Sequence, residues 1–198
     1  MANREQEPVS VSVFTSEQCH ELRARGYYIF GLTGKSLLRL REVGYKVRSP
    51  FYFDTSFEAN TSMLTEVAIN PKKLFLPDSI GISLKEQLVL VEVFGRQIGS
   101  EVSGITAILG SVADYAELVY SHVEPCVQRL FESSFYFTGT STRVRNNRDA
   151  VVGSFFFSPN SVRLGFQPLD KRYPLMGAAP LVLPALAIGA VSTGKSVR

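Results

Sequence analysis

TSEQCHELRARGYYIFGLTGKSLLRLREVG, residues 15–44, sets out a helix, a strand and a second helix in one uninterrupted pass. Thr15 with Gln18 three residues later has the form of a capping box, Cys19 and Leu22 share a face, and Gly26 suits a left-handed stop. Tyr27-Tyr28-Ile29-Phe30 then reads as a strand. Beyond it, Thr33 is placed to cap a helix whose Leu37, Leu38 and Leu40 form an apolar stripe against Lys35, Arg39 and Arg41, with Gly44 as its stop. Short helices alternating with strands imply helices packed on a sheet.

The same punctuation extends outward. Met63 to Ile69 is β-branched and apolar and predicts a strand, and Asn70-Pro71 and Pro77-Asp78 bracket a short connector. Ser83 and Glu86 repeat the capping box ahead of a helix lined by Leu84, Leu88, Val91 and Ile98, for which Gly99 offers a stop. Ile105 to Leu109 lies between glycines and reads as a buried strand. Ser111 and Asp114 open a helix with Tyr115, Leu118, Val119 and His122 on one face, which Pro125 kinks or interrupts. Residues 135–142, 151–157 and 161–167 then predict an antiparallel meander. The expected class is therefore α+β (or α/β): a mixed sheet with packed helices and a C-terminal antiparallel β region. The expected division is a single domain over residues 1–172, followed by an uncharged apolar extension over 173–198.

Composition agrees with a globular chain. Of 198 residues 45% are hydrophobic and 20% charged, enough to bury a core without a disulfide or metal staple. Cys19 and Cys126 are too few for a disulfide framework, and the charged start of the chain lacks the apolar core of a secretory signal, so a cytoplasmic location is expected. The net charge of +3 is unevenly spread. Residues 1–50 carry 8 basic and 5 acidic groups, residues 51–134 carry 5 and 11, and residues 135–198 carry 8 and 2.

Two strings resemble phosphate loops and each departs from the pattern. Gly189-Ala190-Val191-Ser192-Thr193-Gly194-Lys195-Ser196 matches the spacing, but only Val197 and Arg198 follow, too few for the helix whose amides and dipole hold a phosphate. Gly31-Leu32-Thr33-Gly34-Lys35-Ser36 stands between strand and helix but is two residues short, and reads first as a tight turn, with a small-anion site as the alternative. His20 and His122 are far apart with no cysteine cluster, which excludes a zinc site of ordinary spacing. His122 and Cys126 could share a face as an imidazole–thiol pair, though a packed thiol is the simpler reading. Asp114 and Glu117, like Glu86, Glu92 and Glu101, read as solvated helix faces rather than as a catalytic pair. No catalytic residue, metal or cofactor is assigned.

The basic last third carries the candidate interaction surface: Arg143, Arg145, Arg148, Arg163, Lys171 and Arg172, with Phe135 to Phe137 and Phe155 to Phe157 available for stacking. Residues 173–194 hold no charge. Pro174, Pro180 and Pro184 argue against a membrane anchor there and for an apolar segment packed on its own domain or on another subunit. The expected function is a non-enzymatic structural or interaction subunit of a homo-oligomer or larger assembly. A nucleic-acid-binding module using the basic third is the second reading, and a nucleotide- or phosphate-binding enzyme at Gly34-Lys35-Ser36 the third.

Overall fold

A computed structural model describes residues 11–48, 56–121, 137–144, 149–154 and 161–185 of the chain. Helix α1 (Ser16–Ala24) begins at the expected capping box: Gln18 N–H donates to Thr15 Oγ1, and the Gln18 side chain accepts from Thr15 N–H. Gly26, at φ 84°, turns the chain into strand β1 (Tyr28–Thr33). Helix α2 (Leu37–Glu42) is capped by Ser36, whose hydroxyl accepts from Arg39 N–H, and not by Thr33. Thr33 is still strand, so its side chain is spent elsewhere. Leu37 and Leu40 are buried whereas Leu38 is exposed, because a six-residue helix resting on one side has room for only two inward leucines.

Strand β2 (Lys46–Arg48) and strand β3 (Leu64–Ile69) follow. Helix α3 (Leu84–Glu101) starts at the Ser83–Glu86 capping box but runs past Gly99. Gly99 has another use there: a Cβ would lie 2.8 Å from the carbonyl oxygen of Ile105, so the missing side chain lets α3 lie against strand β4 (Ile105–Ile108). The turn itself comes at Gly104, with φ 75°. Helix α4 (Val112–Ser121) precedes β5 (Phe137–Val144), β6 (Asp149–Ser154), β7 (Ser161–Pro168), β8 (Met176–Gly177) and β9 (Leu181–Pro184). The expected α+β class is correct, with the meander formed by β5, β6 and β7.

Two sheets divide these strands. The first is antiparallel in the order β1-β3-β9-β4, and the second is mixed in the order β2-β7-β6-β5-β8, with β2 parallel to β7 and β8 parallel to β5. One face of the first sheet meets α1 and the end of α3 through Leu22, Ala68, Ile98, Ile105, Ala107 and Val182. Its other face supplies Phe30, Leu32, Val67, Ile69 and Leu181 to a core shared with Val144, Val151, Val162 and Leu164 of the second sheet. Helix α4 fills the space between the sheets, which is why Tyr115, Leu118 and Tyr120 join that core and none of the residues from Val112 to Tyr120 is exposed.

The boundary expected at residue 172 does not separate a core from an extension. Val182 of β9 pairs with Ala68 on one side and Ala107 on the other, and Leu181, Val182 and Leu183 are buried. A run without charge is what a strand buried on both faces requires. No helix among the described residues is long and apolar enough to cross a membrane.

Candidate functional site

Helix α4 carries four polar side chains into the interior, where they bind residues 33, 35, 46, 62–63, 110–111, 162 and 179. Asp114 accepts from Ser111 N–H at 2.6 Å and Met63 N–H at 2.8 Å, while Ser111 Oγ accepts from Asp114 N–H in return. Tyr115 donates its hydroxyl to Ala179 O at 2.5 Å and accepts from Gly110 N–H at 3.1 Å. Glu117 accepts through Oε1 from Thr33 N–H at 3.0 Å and Thr33 Oγ1–H at 2.5 Å, and through Oε2 from Lys35 N–H at 3.3 Å and the Ser62 hydroxyl. Tyr120 donates to Lys46 O at 2.8 Å and accepts from Val162 N–H at 2.6 Å. Successive spacings of one, two and three residues distribute these groups around the helix.

The expectation that Asp114 and Glu117 face solvent is overturned. Asp114 is 2% exposed and Glu117 0% exposed. Burial pushes the Asp114 carboxyl above the usual range, against the pull of its hydrogen bonds to Met63 and Ser111. Burial likewise lifts the Tyr120 phenol to about 12 and the Tyr115 phenol further. A buried carboxylate is tolerable when its lone pairs are filled, and Glu117 has four such donors besides Lys35 Nζ at 3.7 Å. Its oxygens are engaged by the protein, whereas a general base needs one within reach of a substrate proton.

This arrangement accounts for the shortened phosphate-loop string. Thr33 and Lys35 turn their amides inward to an anion, and that anion is the Glu117 carboxylate. Gly34, at φ 78°, allows the turn that aims both amides the same way. The second string, at residues 189–196, lies outside the described residues, as do His122 and Cys126.

Tyr120 also fastens the two strands that bring distant basic residues together. Its hydroxyl sits where β2 meets β7, and its ring stacks on Tyr45 at 4.3 Å between centroids. Replacing it by Phe leaves Val162 N–H and Lys46 O without that partner. Tyr120→Phe is expected to cost about 1–3 kcal/mol of unfolding free energy, read from the urea midpoint.

Among the six basic residues singled out in the last third, Arg145 and Arg148 lie outside the described residues, and the other four do not converge. Arg143 is half-buried and donates Nη1 to Thr140 O at 2.9 Å, and its burial lowers its pKa. Arg172 pairs with Glu86 at 2.6 Å beside the start of α3, and hydrogen bonds from Ser83 and then Arg172 hold the Glu86 carboxyl down to about 2. Lys171 is exposed in the loop just before it. Arg163 stands exposed on β7, with Arg48 of β2 as its cross-strand partner. Val47 and Val162 point inward beside them, so Lys46, Arg48 and Arg163 share the outward face. The signal for Lys46 and Arg48 was present in the alternation Lys46-Val47-Arg48. What the sequence did not reveal was the parallel partner.

Neither a family model, nor a curated protein, nor a solved structure matches this chain.

Proposed function

We propose that the chain is a non-enzymatic interaction or structural subunit that acts through its outer surface. The supporting observation is that Glu117 already occupies the anion position of the loop with phosphate-binding form, while basic side chains on β2 and β7 remain exposed. The interior acids serve to join segments; the accessible charge lies outside. The apolar stretch that suggested assembly is used inside the domain through β9, so charge, more than apolar area, is what the described surface offers a partner.

Light scattering with simultaneous absorbance on protein purified at low salt tests this reading. A mass above that of one chain, or a raised 260/280 ratio, is the expected result. A bare monomer across micromolar concentrations that gains thermal stability on adding ATP would reject it in favour of nucleotide chemistry.

A further inference from the structure

We draw no further inference here: the strongest candidate, the outward stripe of helix α3 on which Val89 and Val93 stand exposed beside the Glu92–Arg96 ion pair, is an unpartnered apolar face, and nothing in the structure shows what covers it.

Discussion

A chain ending at Pro180 is expected to show no cooperative thermal transition. Strand β9 lies between β3 and β4, so its removal leaves those two without their common partner and splits the first sheet. Leu181, Val182 and Leu183 are buried, and each contributes roughly 1.5–3 kcal/mol by leaving water. The core around α4 also loses Leu181, and the layer under α1 and α3 loses Val182. These losses approach the whole stability of a typical domain, about 5–15 kcal/mol. Circular dichroism melts of the truncated and full chains check this, and a sigmoidal melt with an unchanged midpoint in the truncated chain would refute the assignment of β9 to the interior. Val182→Asp gives the same answer without shortening the chain: it sets a carboxylate between Ala68 and Ala107, where a charge costs several kcal/mol.

Glu117→Ala comes next in size. It deprives Thr33 N–H, Lys35 N–H and two hydroxyls of their acceptor at a point closed to water, with an expected loss of about 3–5 kcal/mol. The ion pair with Lys35 adds little, because that side chain is 40% exposed. Glu117→Gln separates charge from hydrogen bonding. The retained oxygen can still serve Thr33, and the Ser62 hydroxyl can rotate to accept from the new amide, but Lys35 N–H then faces a donor. An intermediate loss is therefore expected from Gln, ordered wild type, Gln, Ala by guanidinium midpoint. Equal midpoints for wild type and Ala would mean that the carboxylate is not what joins α4 to the turn.

The elements specified locally were legible in the sequence. Both capping boxes, at Thr15–Gln18 and Ser83–Glu86, are written within four residues and appear in the structure with both of their reciprocal hydrogen bonds. The β5–β6–β7 meander follows from alternation and short connections, each decided by neighbours in the chain. What depended on distant partners was not legible. Asp114 and Glu117 look like ordinary solvated acids until residues 33–35 and 62–63 fold over them; apart from Ser111 N–H, the donors to these carboxylates are more than fifty residues away, and no local pattern marks them. Gly99 resembles a helix stop because sequence cannot show the Ile105 carbonyl that requires its small size. The candidate basic surface was half legible for the same reason: Arg163 was identified, and its partner on β2 was not.

The placement of β9 has a consequence for biosynthesis. It is the last of the described strands to leave the ribosome, yet the first sheet has its vacancy at the centre until that moment. On a translating ribosome, β3 and β4 must wait with unpaired edges facing each other, and such edges are prone to join strands from other nascent chains. The closing event pairs segments far apart along the polypeptide, a kind of step that is intrinsically slow. Supplying chaperones that shield unpaired strand edges during synthesis should therefore raise its soluble yield.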